Sequence, residues 1–284
     1  MGYASTLPSG KLGSRLLASG ADWRVAEYLC GAGPSDRPFE ERHGQVTIAA
    51  VIAGTFRYHT DTGRALMHPG ALLLGNAGTC FECGHEHGIG DRCIAIHLAP
   101  GYFDEVAAGV AGRSGFRFSA AKLPAAARLL PWLALLEAQA EVADPAALEE
   151  TVPCLTEAAV GLLSGEEPMV VRHVPHEARR ITGVLRLIEK QAGEALSLDA
   201  LAGLAAMSKY HFLRCFRAQV GTTPYRYLLG VRLRRAAVRL ATSSEPVSAI
   251  AYDCGFGDLS TFNARFRRVF RASPTAWRRR ERRA

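Results

Sequence analysis

No apolar run in the sequence reaches 18 residues, so nothing in it reads as a membrane-spanning helix. Its first residues, MGYASTLPSGKLGSRLLASGADW, lack a continuous apolar core of the length a secretory signal needs, and a cytoplasmic location is the expectation. Seven cysteines, an odd number in 284 residues, do not make a disulfide framework and are expected to be reduced thiols. Positive charge is scarce in the first part of the chain only. Residues 1–171 hold 12 Lys+Arg against 19 Asp+Glu, whereas residues 172–284 hold 22 against 8. The net charges of −7 and +14 belong to chain segments of different kinds, and 48% hydrophobic residues suffice for two cores. Two domains, 1–171 and 172–284, are therefore expected. The basic residues of the second are nearly all arginine, whose planar fork matches phosphate and guanine edges, so that half suits a polyanion.

Between Trp23 and about Leu98 the chain runs in short β-rich stretches, RVAEYLCG, QVTIAAVIAGTFRYHT, RALMHPGALLLGNAG and RCIAIHLAP. DTG and HPG between the apolar runs suggest the hairpins of a compact sandwich or barrel. From about 123 to 165 the pattern changes to alanine- and leucine-rich segments with helical spacing, which would pack on the sandwich and offer a surplus apolar face to a dimer. SGEEPMVVRHVPHEARR, with two prolines and no sustained period, reads as a linker.

Beyond Ala178 everything reads as helix. Ser197 and Asp199 begin SLDALAGLAAM, and Ser208 caps SKYHFLRCFRAQVG, which places Phe212, Cys215, Phe216 and Val220 on one face. Two short helices joined by a tight turn, the second basic on its free side, form a helix-turn-helix pattern. It returns about fifty residues later in VSAIAYDCGFGD and LSTFNARFRRVFRASP, with Phe262, Phe266 and Phe270 spaced by four. Leu229, Leu233, Ala236 and Leu240 form a stripe on the joining segment, which would fix the spacing of the two units.

The segment from Ala178 to about Arg280, with LAGLAAMSKYHFLRCFRAQVGTTPYRYL, RLRRAAVRL and IAYDCGFGDLSTFNARFRRVFRASPTAWR, resembles the DNA-binding domain of the AraC/XylS-type transcription regulators. The resemblance implies two helix-turn-helix units on one rigid helix, their second helices entering successive major-groove turns roughly 34 Å apart. Carried across by position, Lys209, Tyr210, Leu213 and Arg214 of the first unit and Leu259, Ser260, Thr261, Asn263 and Arg265 of the second would meet bases or phosphates. Two departures stand out: the second unit has Asn263-Ala264 where relatives commonly carry arginine, and Ala272 falls where they carry glycine. The N-terminal half resembles the cupin-like effector domain of the same family, in HPGALLLGNAGTCF, but Asn76 replaces the usual proline and Phe81 the usual metal-binding histidine. The fold class expected is thus α+β with two domains, a cupin-like barrel or sandwich carrying packed helices and an all-α double helix-turn-helix domain. The partners implied are double-stranded promoter DNA, RNA polymerase, a second copy of the chain, and a small-molecule or metal effector.

One stretch fits none of this. CFECGHEHGIGDRC brings Cys80, Cys83, His85, His87 and Cys93 together with a spacing open to tetrahedral zinc or another transition metal. Metal binding, a thiol redox switch and ordinary packing all remain open. As an active site the cluster would make the protein a cupin-type metalloenzyme with a DNA-binding appendage. A DNA-repair methyl acceptor is disfavoured because the chain has no Pro-Cys-His-Arg signature. The isolated His43, His59, His68 and His97 are expected to be structural, and Cys215 and Cys254 to be small core residues.

Overall fold

A computed structural model of the chain describes residues 12–85, 90–142, 144–165 and 175–282. Nine strands come first: β1 (Leu12–Ser19), β2 (Trp23–Cys30), β3 (Phe39–Arg42), β4 (Val46–Gly54), β5 (Phe56–Thr60), β6 (Gly63–Met67), β7 (Leu72–Gly75), β8 (Cys80–Gly84) and β9 (Asp91–Leu98). After α1 (Pro100–Ala111) and the short β10 (Lys122–Leu123) come α2 (Leu130–Val142) and α3 (Pro145–Ser164). One sheet has the order β1-β2-β9-β4-β7-β10 and the other β3-β8-β5-β6. All their pairings are antiparallel.

The larger sheet is covered on both faces. Ile48, Ile94 and Ile96 share a core with Leu133, Leu136, Val152 and Leu155 of α2 and α3. Ala49, Val51, Cys93 and Ala95, alternating with them, meet Phe56, Tyr58 and Met67 of the smaller sheet. Burial on both sides explains why VTIAAVIA is apolar but for Thr47, whose hydroxyl bonds Gln45 O and His97. That run ends at Gly54, whose φ of +83° and near contact with the backbone at Gly90 admit no side chain, and the chain crosses to the other sheet. DTG closes the β5–β6 hairpin as expected, Thr60 pairing with Gly63. HPG does not close a hairpin: it is a corner between β6 in one sheet and β7 in the other. Turn residues report a change of direction and do not say which strand is paired next.

The second part contains α4 (Pro175–Gln191), α5 (Leu198–Leu204), α6 (Lys209–Val220), α7 (Pro224–Thr242), α8 (Val247–Asp253), α9 (Leu259–Phe270) and α10 (Pro274–Glu281). It repeats with an offset of 50 residues: Phe212 and Phe216 answer to Phe262 and Phe266, all fully buried, and Tyr227 answers to Trp277. Both α7 and α10 start with a capping hydroxyl and proline, Thr223-Pro224 and Ser273-Pro274. The repeat corrects one expectation. The left-handed residue closing α6 is Gly221, and its counterpart closing α9 is Arg271, with φ +55°, so the glycine is replaced at Arg271 and not at Ala272. Arg271→Gly should therefore raise stability by about 1 kcal/mol, because an L side chain in this region costs roughly that much. A thermal melt showing no gain would contradict it.

The two parts are packed together. Helix α2 lies along α7, with Leu130 near Gly230 and Ala134 inside the core of α7, α8 and α9. Lys122, buried, donates to Leu66 O at 2.9 Å and Gln219 O at 2.8 Å, one acceptor from each part, and burial pulls its pKa down to about 7. Tyr227 OH lies 3.2 Å from Pro69 O and 3.0 Å from Glu189, and its ring meets His68 edge-on. Arg234, also buried, sits between Glu137 of α2 at 3.5 Å and Glu189 of α4 at 3.9 Å. Burial opposes its charge, but the two carboxylates outweigh that and hold its pKa above the ordinary value.

Candidate nucleic-acid interface

Each helix-turn-helix unit is built so that its second helix is anchored on one side and open on the other. In the first, Ser208 accepts from His211 N at 3.3 Å and starts α6. Phe212, Cys215, Phe216 and Val220 turn inward. Lys209, Tyr210, Leu213 and Arg214 are exposed on the remaining arc, and Tyr210 is 78% exposed. Lys209 pairs with Asp199 at 2.7 Å and Arg214 approaches His211 at 3.3 Å, both contacts in water and easily exchanged for phosphate.

In the second unit Asp258 accepts from Thr261 N at 2.7 Å, a bond that holds its carboxyl below the usual range and starts α9. Ser260, Thr261 and Asn263 are exposed, as are Arg267 and Arg268. Leu259 and Arg265 are half-buried: Leu259 packs on the core, and Arg265 reaches 3.4 Å from Tyr225 OH at the start of α7. Of the nine residues singled out in the sequence, seven thus lie open and two carry a structural contact. Tyr225 was missed; it is 62% exposed and connects the surfaces of the two units. Its signal was its place just after Pro224, in a helix read only as a spacer.

Arg232 fixes how the units sit together. Its guanidinium donates to Ala192 O at 2.6 Å, Glu194 O at 2.7 Å and Gly255 O at 2.7 Å, joining the α4–α5 connection to the turn of the second unit. Gly255, with φ +88°, leaves no room for a Cβ, which would stand 2.7 Å from Gly193 O and 2.9 Å from Ala192 O. Together these contacts make the joining helix a rigid spacer.

Two open, arginine-bearing helices held by a common spacer define the class: a double helix-turn-helix domain. Residues 201–280 match the family described as a helix-turn-helix domain. HTH-type transcriptional activator RhaS of Escherichia coli O157:H7 is 35% identical over 102 residues, 36% of this chain and 37% of its own. The probable transcriptional regulator LumQ of Photobacterium leiognathi is 34% identical over 90 residues, 32% of this chain and 36% of its own. A solved AraC-type transcriptional regulator from Chromobacterium violaceum is 30% identical, covering 36% of this chain and 91% of that one, with a TM-score of 0.34. Over this C-terminal part the chain is similar to a helix-turn-helix domain family and to proteins described as transcriptional regulators. The chain matches only about a third of the length of these curated relatives.

The cysteine–histidine stretch is divided by the fold. Cys80 and Cys83 are three apart on β8, and successive side chains of a strand alternate, so the two point to opposite faces. Cys83 packs on the sandwich interior, where His85 and Cys93 also lie buried, while Cys80 is not among them. His87 falls outside the described residues. In its place the fold brings Cys30 and Asp91: donor atoms of Cys30, His85 and Asp91 all lie within 4.8 Å of one another. Cys30 escaped the sequence reading because it lies fifty residues upstream, and only the β2–β9 pairing sets it opposite Asp91. A metalloenzyme centre spanning Cys80 to Cys93 as one set is therefore not what the fold assembles.

Three of the four isolated histidines, His43, His68 and His97, make structural contacts. His43 bonds Tyr58 OH at 2.8 Å and stacks on Phe81, the residue that stands where the resemblance expected a metal ligand. His97 lies between Tyr28 OH and Thr47, and His68 bonds Pro69 O. Burial pulls His43 and His97 down to about 4 and His68 to about 3, so they are neutral. Cys215 and Cys254 are core residues.

Proposed function

We propose that the chain is a sequence-specific transcription regulator, with α6 and α9 reading successive major-groove turns of promoter DNA and a cupin-like N-terminal sandwich receiving a small-molecule, metal or redox signal. The observation that carries the DNA reading is the 50-residue repeat, which presents two exposed helical faces from matching phenylalanine cores on one spacer. On α6, Arg214 is placed for a forked bond to guanine or for phosphate, and Leu213 for a thymine methyl. On α9 the 50-residue offset sets Asn263 at the place of Leu213 and Ala264 at that of Arg214, so Asn263 and the exposed Thr261 are the polar groups offered to bases, with Arg267 and Arg268 toward phosphates. No described helix is long and apolar enough to cross a membrane. No reaction is assigned to the protein.

The signal would pass through the packed boundary between the parts. Lys122, Tyr227 and Arg234 bond across it, so a ligand that favours one placement of the sandwich biases the placement of α7 and both units. A second copy of the chain and RNA polymerase are the further partners of this reading. Arg214→Ala should weaken binding to a selected operator by about 1–3 kcal/mol at fixed salt, while non-specific binding changes far less. Unaltered operator affinity in an anisotropy titration would remove Arg214 from the reading surface.

A further inference from the structure

Inside the sandwich, at the end where β2, β8 and β9 meet, three elements converge on one point. Cys30 ends β2 and pairs directly with Asp91, the first residue of β9. Cys93 follows two residues on, on the same face of β9. From the other sheet, β8 brings Cys83 inward and His85 just after it. The His85 side chain is 4% exposed and that of Asp91 8%, with Nε2 and Oδ2 2.5 Å apart. Cys93 Sγ lies 3.4 Å from the other Asp91 oxygen.

We propose that Cys30, His85 and Asp91, whose donor atoms lie within 4.8 Å of one another, together with Cys93, which lies outside that group and moves in from its contact with Asp91, form a tetrahedral site for a single zinc-like divalent ion. Two thiolates, an imidazole and a carboxylate are the donors that zinc prefers among divalent ions, and four of them close its shell. The donor set differs from the one the linear stretch suggests: Cys30 and Asp91 enter, Cys80 does not. Occupation is a simple exchange, in which the two thiol protons and the His85 proton leave as the ion enters and Asp91 exchanges its bond to His85 for one to the metal. Cys83 borders the site as a further thiol. A closed shell of four protein ligands ties the two sheets together and leaves no position for a substrate, so the site fits structure or sensing and not turnover. It lies in the sandwich and does not depend on the DNA reading, so either can fail alone.

The test is a titration of the full-length, chelator-treated chain with Co²⁺, followed by displacement with Zn²⁺. The expected result is saturation at one equivalent, with tetrahedral cobalt absorption and a thiolate charge-transfer band, both abolished by zinc. Cys30→Ser and Asp91→Asn should each weaken cobalt binding by more than about 100-fold, since even outer partners of metal ligands cost 10–100-fold. Cys80→Ser should leave it unchanged. Absence of a saturable equivalent, an octahedral spectrum without thiolate character, or an equal loss in Cys80→Ser would overturn the assignment. The wild-type spectrum needs no variant, so a substitution that fails to fold leaves the test intact.

Discussion

Arg234→Met is expected to cost about 3–5 kcal/mol, the largest loss of any single change considered for this chain. The guanidinium is 5% exposed, and the carboxylates beside it, Glu137 and Glu189, are only 16% and 19% exposed. Removing the arginine takes from Glu137 the cation beside it, in a space from which water is largely excluded, and leaves Glu189 to Arg235, at 3.4 Å, and Tyr227. Those carboxylates belong to different parts of the chain, Glu137 to α2 beneath the sandwich and Glu189 to α4 of the helical part. The loss should therefore appear as separation of the domains before either unfolds. A denaturant titration with a first transition that leaves the secondary structure of both parts intact would show it. Adding Glu137→Gln to Arg234→Met should restore part of the stability, because the stranded charge is gone; a further additive loss would show that charge is not the cause.

Gly255→Ala should cost about 2 kcal/mol or more. At φ +88° an L side chain carries a penalty of roughly 1–2 kcal/mol, and here its Cβ would also stand 2.7 Å from one backbone oxygen and 2.9 Å from another. Relief requires moving the turn between α8 and α9, and Arg232, bonded to Gly255 O, would move with it. The affinity for operator should fall beyond what the loss of stability explains, since α9 would no longer keep its placement relative to α6. Gly257→Ala is the control: its Cβ meets nothing within 4 Å and its φ is ordinary, so it should change stability by less than about 1 kcal/mol. Equal melting temperatures for the two variants would refute the argument from the turn.

The helical half was legible because its signals are local. Capping residues Ser197, Ser208 and Asp258, prolines at 224 and 274, and phenylalanines spaced by four each specify structure within a few residues of themselves. The sandwich was legible as a class but not in its wiring. β1 and α1 went unread, although Pro100 at the start of α1 was a usable signal, and HPG read as a hairpin where the chain in fact changes sheet. Strand pairing is decided by residues far apart in sequence, and the same fact hid the meeting of Cys30 with Asp91. The boundary between the parts was hidden for a different reason. Arg234 falls at a position of α7 that a helical period cannot tell from a solvent-facing one, and it is buried between Glu137 of α2 and Glu189 of α4, far from it in sequence.

The claim on which the account depends is that α6 and α9 grip one face of DNA a single turn apart. Hydroxyl-radical footprinting of the full chain on an operator selected from random sequence measures this directly. The account predicts two protected patches about 10–10.5 base pairs apart on one face, the first weakened by Arg214→Ala and the second by Asn263→Ala. A single patch, or two on opposite faces of the duplex, would contradict it.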